Sequence, residues 1–586
     1  MTALDWTIIA LYFSALVGVV WWSSRNQKTS KDYFLAGRNV GFFAIGASLF
    51  ASNIGSEHIV GLAGSGATKG MGMAHYELHA WIVMLLAWVF VPFYYRSGVY
   101  TMPEFLERRF SSKARWILSV VSLVAYIFTK VSVTVYAGAI VFKALLPHTF
   151  GSPENAFWVG ALATVTLTGL YTVFGGLRAV LYTDTAQAVV LLVGAFFITF
   201  YGLRALGGSG GAETATAVSG SFGQVAHGWD ELIRIAGAKA QQFALWRPMS
   251  DPDFPWLGIL IASPIVGIWY WCTDQYIVQR TLAGRTLKDA RRGAIWGGLL
   301  KVWPVLIFLV PGMIGYALNS KEIIEIPMKM KDGLPVVVNG IAQLDGDQVF
   351  PTMVTKLLPD GLRGLVVAAM LAALMSSLSS LFNSSAALFT IDIYEKIRPG
   401  KSERHLVTVG RLATGVVVVL GILWIPVMPL ISKGGLYEYL QSVQQYLAPP
   451  ITAVFLLGLF WKRTNAHGAV WGLAAGFVLG MAKLTIQAFF GAGKFENPAF
   501  LAQIGDFNFL YFSGVLFAAS IVIVVVASLL SAPPSPEQII SLSYATATDE
   551  DKRTSRANWN FVDVLLTVTV LVLVVGIYLY FSFWLG

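Results

Sequence analysis

Roughly fourteen stretches of about twenty apolar residues recur along this chain, each long enough to cross the roughly 30 Å hydrocarbon core of a bilayer as a helix. They fall at 4–23, 42–66, 76–97, 116–146, 155–175, 180–204, 257–277, 293–318, 361–390, 406–428, 436–461, 469–490, 509–531 and 561–585. Only 12% of the 586 residues are charged, and the mean hydropathy is +0.65. Soluble domains approach a quarter charged, so the expected fold is an all-α integral membrane protein with little sequence left for a separate soluble domain.

The formal charge of +9 is spread over many loops, which argues against a nucleic-acid surface. With the N-terminus outside, the groups Arg25/Lys28/Lys31/Arg38, Arg108/Arg109/Lys113/Arg115, Arg280/Arg285/Lys288/Arg291/Arg292 and Lys396/Arg398/Lys401/Arg404 all fall on the cytoplasmic side. That places roughly 25 basic residues inside against roughly 10 outside, and an even number of spans then puts both termini outside. The first span lacks a small-x-small cleavage site and reads as retained. Cys272 is the one cysteine, so no intramolecular disulfide can form. The loops 205–256 and 319–360 are expected to hold short surface helices, and 532–560 reads as a polar linker.

Halfway along the second span the chain reads Ala51-Ser52-Asn53-Ile54-Gly55-Ser56-Glu57-His58, a polar, glycine-broken patch at about mid-bilayer. Interrupted backbone at that depth survives where it is buried in protein or lines a wet cavity, and such discontinuous helices build transport sites. A kinked helix whose Ser and Asn glue neighbours together is the alternative. Glu77 opens the third span and Lys301 lies within the eighth, and each charge alone would cost about 3 kcal/mol in a bilayer centre. A carboxylate that only accepts and an ammonium that only donates together suit a ligand with many hydroxyls. Trp269-Tyr270-Trp271-Cys272-Thr273-Asp274-Gln275 sets aromatics before a polar break, which fits a stacking surface for a sugar ring or an interfacial belt.

In the eleventh span, Tyr437-Glu438-Tyr439-Leu440-Gln441-Ser442-Val443-Gln444-Gln445-Tyr446 offers further amides and hydroxyls, with Gln441 as the cavity-facing member. Ser376, Ser379 and Ser380 share one helix face, while Ser377 is turned away by about 100°. Clustered hydroxyls make either an oxygen cage for a small hard cation or a close helix contact. Asp184, in Tyr182-Thr183-Asp184-Thr185-Ala186-Gln187, is a cation-site carboxylate or a helix cap. A nucleophile with its base, or a cluster of metal ligands, is missing from the sequence pattern, so an enzyme is not expected.

These residues carry a resemblance. Ala51–His58, Gly61-Leu62-Ala63-Gly64-Ser65-Gly66, Tyr100-Thr101-Met102-Pro103-Glu104-Phe105, Trp269–Gln275, Gln279-Arg280-Thr281-Leu282-Ala283, Phe389-Thr390-Ile391-Asp392-Ile393-Tyr394 and Ala453–Arg463 together resemble the sodium/solute symporter family, and within it the sodium/sugar cotransporters. The resemblance covers nearly the full chain. It implies a LeuT-like core of five-plus-five inverted repeats, with one helix before it and further helices after it. The divisions would be 1–40 for the leading helix and its loop, 41–204 for the first repeat, 205–256 for an extracellular loop, 257–463 for the second repeat, and 464–586 for the C-terminal helices. The second and seventh spans would be the broken ones.

The resemblance further implies that Asn53, His58, Glu77, Lys301 and Gln441 are sugar-hydroxyl ligands, with Tyr270 as the aromatic that stacks on the sugar and closes its inward path and Trp271 beside it in the binding site. Leu62, Tyr76 and Tyr437 would form the outer gate. The backbone carbonyls of Ala51, Ile54 and Ala373 and the hydroxyls of Ser376 and Ser377 would hold sodium. Asp184, Ser376, Ser379 and Ser380 would hold a second sodium ion. His58 and the aromatic stretch are more similar to the animal glucose-transporter branch, whereas Thr134 stands where that branch commonly has a carboxylate. Implied with these are symport of glucose or galactose, a functional monomer, and a multi-pass place in the plasma or inner membrane. Transport of myo-inositol or sialic acid, and sugar sensing without transport, are the other readings.

Overall fold

The computed structural model describes residues 1–23, 29–55, 57–147, 149–208, 221–331, 334–338, 341–427, 436–490 and 499–585; Arg25, Lys28 and Ser56 lie outside them. Among the described residues, twelve helices are long and apolar enough to cross a membrane. Two of these are too long for one crossing. Pro153–Gly207 has 55 residues, about 80 Å of helix against a core of about 30 Å, and it is divided at Gly176, whose φ of 54° and ψ of −165° are not helical. Glu57–Ser97 is divided at Gly70, with φ of 58°. Counting both divisions, and joining the short helix Phe42–Asn53 to the half that follows it, the described residues make fourteen passes, as the apolar pattern predicts.

The second span is broken as expected. Phe42–Asn53 ends where Ile54 turns extended, at φ −88° and ψ 95°, and helix resumes with a wide turn, Glu57–Leu62, before Ala63–Lys69. The seventh span is its counterpart. Trp256–Ile268 widens through Trp269–Thr273 and stops at extended Asp274, whose carboxylate caps the next helix, Gln275–Leu282. Those caps matter because a helix end in the membrane interior exposes backbone groups that lipid cannot satisfy.

Two further interruptions were not in the sequence pattern. The third span turns at Leu78 and His79 between Ala74–Glu77 and Ala80–Leu85, which leaves Glu77 at a helix end. The eighth stops at Leu300 and restarts at Val305 beyond Pro304, which has no N–H to continue the ladder. Lys301 therefore sits in a break and not inside a continuous helix. The first half of the second span, Phe42–Asn53, packs tightly on the eighth, where a Cβ at Gly46 would come within 2.6 Å of the Gly293 carbonyl oxygen.

The loops differ in part from expectation. Helices Ser221–Gly237 and Ala240–Phe243 occupy the first long loop. The second carries two small antiparallel pairs, Met330–Lys331 with Leu334–Pro335 and Val337–Val338 with Ile341–Ala342, ahead of helix Val349–Leu357. The stretch read as a polar linker holds a capped helix, Asp549–Ala557, because Thr548 and Asp551 bond reciprocally to each other's backbone.

Candidate functional site

The breaks in the second, third, seventh and eighth spans meet around one cavity. Asn53, His58, Glu77, Tyr270, Trp271, Lys301 and Gln441 all line it, as does Tyr76. Its floor of charge is the Glu77–Lys301 pair, 2.6 Å between carboxylate Oε2 and ammonium Nζ, with both side chains at most 2% exposed. His58 Nε2 lies 3.4 Å from the other carboxylate oxygen, and the Gly55 N–H donates to His58 Nδ1 at 3.4 Å. An accepting Nδ1 leaves the proton on Nε2, so the imidazole donates toward Glu77.

Around this pair are acceptors that no donor among the described residues reaches. Asn53 donates from Nδ2 to the Tyr270 hydroxyl at 3.2 Å, but its Oδ1 has no partner. Gln441 Oε1 and Glu57 Oε2 are also buried without a donor. Buried polar atoms left unpaired cost about 1–3 kcal/mol each, so three of them on one cavity wall point to a ligand rich in hydroxyl donors. Tyr270 and Trp271 stand edge to face, with ring centroids 5.1 Å apart, and give that ligand an apolar surface.

The gate residues divide. The Tyr76 hydroxyl accepts from Gln445 Nε2 at 2.8 Å, which ties the third span to the eleventh. Leu62 is buried in the apolar core and is not on the cavity wall. The Tyr437 side chain lies outside the described residues.

Sequence reasoning left Glu57 unassigned and missed Lys130, His79 and Tyr276, which also line the cavity, as does Gln444 from the amide-rich stretch of the eleventh span. Lys130 pairs with Asp274 at 2.6 Å and lies 4.7 Å from the ring centroids of Tyr270 and Tyr276. Its signal was there to find, since a lysine inside an apolar span needs a partner. Thr134 is on the wall as well, 2% exposed.

The oxygen cluster lies where Pro153–Gly207 and Leu362–Ala387 pack against the first half of the same broken span. Ser377 donates to the Ser52 carbonyl at 3.2 Å, between Ala51 and Ile54, and Ala51, Ile54 and Ala373 are all buried. Asp184 accepts from Ser48 at 2.6 Å and Ser52 at 3.0 Å on one oxygen, and from Ser376 at 2.7 Å on the other. Ser379 donates to the Ser376 carbonyl at 3.0 Å, and Ser380 meets Ser52 at 3.0 Å and the Arg280 guanidinium. Arg280, which the charge pattern placed in a cytoplasmic loop, is instead wholly buried 3.8 Å from Asp184. Arg109 and Arg291 are likewise buried, held by backbone carbonyls, so fewer basic residues are loop charges than the pattern implied.

A paired charge at the centre of an interrupted-helix bundle, flanked by an oxygen cluster, is the site of a membrane carrier. Residues 33–476 match the sodium:solute symporter family, and the chain belongs to that family. It is 39% identical to sodium/glucose cotransporter 1 of Oryctolagus cuniculus over 560 residues, 94% of this chain and 82% of the relative. It is also 39% identical to sodium/myo-inositol cotransporter 2 of Homo sapiens, over 93% of this chain and 79% of that protein. The fold is shared with a solved substrate-bound, outward-open Na+-coupled sialic acid symporter at a TM-score of 0.72 and 22% identity, covering 91% of this chain and 99% of that one.

Proposed function

We propose that this chain carries a monosaccharide, glucose or galactose, across the membrane together with sodium by alternating access, with two ions per sugar. The observation that carries the sugar reading is the set of acceptors without a donor among the described residues, Asn53 Oδ1, Glu57 Oε2 and Gln441 Oε1, on residues that line the same cavity as Tyr270 and Trp271. A neutral polyol fits better than an acid, because Glu77 already neutralises Lys301 and further acceptors would repel a carboxylate. A ring polyol such as myo-inositol offers the same hydroxyls and is the second reading, favoured by the equal identity to the human relative.

Sodium would meet the carbonyls of Ala51, Ile54 and Ala373 and the hydroxyls of Ser376 and Ser377, and a second ion would meet Asp184, Ser376, Ser379 and Ser380. One broken helix then serves both ligands, with carbonyls toward sodium and the Asn53 and His58 side chains toward sugar. Coupling follows if sodium binds the outward-facing arrangement more tightly than the inward one, since only differential affinity shifts populations. The protein works as a monomer in the lipid of the plasma or inner membrane, with both termini outside. A competition panel on sodium-driven uptake tests the substrate: glucose and galactose should compete most strongly, and competition by sialic acid alone would overturn the reading.

A further inference from the structure

Arg280 is a permanent cation placed against the carboxylate expected to bind the second sodium ion. Its Nη2 lies 3.8 Å from Asp184 Oδ2, and neither side chain is exposed to any measurable degree. It also shares that carboxylate's partners, since its Nε donates to Ser48 Oγ at 3.0 Å, and Ser48 in turn donates to Asp184 at 2.6 Å. Its Nη2 is bonded to Ser380 as well, another of the expected sodium ligands. The remaining grip is on the Tyr276 carbonyl and over the Tyr276 ring, 5.3 Å from its centroid.

With Arg280 in place the cluster is already neutral. A sodium ion at Asp184 would bring a second positive charge into the same buried space, where repulsion is only weakly screened. We infer that Arg280 is a tethered stand-in for the second sodium ion, exchanging with it at Asp184 and Ser380 during each cycle. When sodium binds, the guanidinium withdraws toward the Tyr276 carbonyl and ring. When sodium leaves toward the cytoplasm, the guanidinium returns, so the carrier reorients without an unpaired buried carboxylate. This rests on the reading of Asp184 as a sodium ligand.

The test is equilibrium binding of radiolabelled sodium to the purified full chain without sugar, alongside single-turnover return rates in liposomes. Arg280→Gln keeps hydrogen bonding and removes the charge, so it should tighten sodium binding by at least about tenfold and slow the return step. Arg280→Lys keeps the charge and should bind sodium within about threefold of the parent protein. Sodium affinity in Arg280→Gln that is unchanged or weaker overturns the exchange. In an Asp184→Asn background, Arg280→Gln should produce no further change, and an independent shift there also overturns it. If Asp184→Asn alone leaves sodium binding untouched, the underlying assignment of Asp184 has failed instead. Should Arg280→Gln not fold, hydrogen exchange of the parent protein decides: replacing potassium with sodium should alter exchange in residues 275–282, and no alteration overturns the inference.

Discussion

Lys301→Met removes the ammonium that lies 2.6 Å from Glu77 in a site where both side chains are at most 2% exposed. Breaking a buried pair from one side typically costs about 3–5 kcal/mol, because the remaining charge is left uncompensated. Here the His58 Nε2–H, 3.4 Å from the carboxylate, softens that cost, so the lower end of about 3 kcal/mol applies. The purified variant should lose about 2–3 °C in melting temperature, because an unfolding entropy of about 2.1 cal/mol/K per residue makes 1 kcal/mol worth only about 1 °C in a chain of 586 residues. Adding Glu77→Gln makes the site neutral again, and the double variant should recover most of the lost stability. Sugar transport should not recover with it. The ligand would have lost two charge-assisted hydrogen bonds at about 1.5–3 kcal/mol each, or at least about 100-fold in affinity. Thermal unfolding in detergent and sodium-driven sugar uptake in liposomes, measured on all four members of the cycle, separate the two roles. A neutral double variant that transports with the parent KM would show the pair to be structural only and refute the site.

Gln441→Ala deletes an acceptor with no partner among the described residues, so it should raise KM by about 2- to 13-fold, one neutral hydrogen bond, with no loss of stability; uptake kinetics and a melting curve check this. Asp184→Ala or Ser379→Ala should lower the sodium Hill coefficient of uptake toward one, and an unchanged coefficient would sink the second ion. Asp347, in the loop before Val349–Leu357, is pushed up to about 7 by burial and then by neighbouring Asp345. Its folded pKa is raised, so the associated stability is fully present below about pH 4 and is lost as pH rises through about 7. Hydrogen-exchange protection factors across 343–349, corrected for the intrinsic pH dependence of exchange, should therefore be larger at pH 5.5 than at pH 8, and Asp347→Asn should remove that difference.

The breaks at Ile54 and Asp274 were legible because glycine, serine and carboxylate at mid-membrane depth are costly unless they line something. The same reasoning found Glu77 and Lys301, but not that each sits at its own helix interruption; Leu78–His79 carries no breaker, and Pro304 alone does not say where the helix resumes. Arg280 shows a different limit. Its place between charged loop residues made it look like an interior-facing topogenic charge, and only the three-dimensional packing sets it beside Asp184, nearly one hundred positions earlier. Lys130 and Asp274 were each visible as polar residues, yet their pairing spans 144 positions and no local pattern encodes it. The strands at 330–342 are too short for any periodicity to register.

The central claim is that sodium drives sugar through this cavity. Purified protein in liposomes, given an inward sodium gradient and an inside-negative potential, should concentrate labelled glucose or galactose above the external level. Each sodium ion carried across 100 mV contributes about 2.3 kcal/mol, so two ions should make accumulation steeply voltage-dependent, and a sodium ionophore should abolish it. Sugar binding without accumulation, or equal accumulation with potassium in place of sodium, would contradict the account.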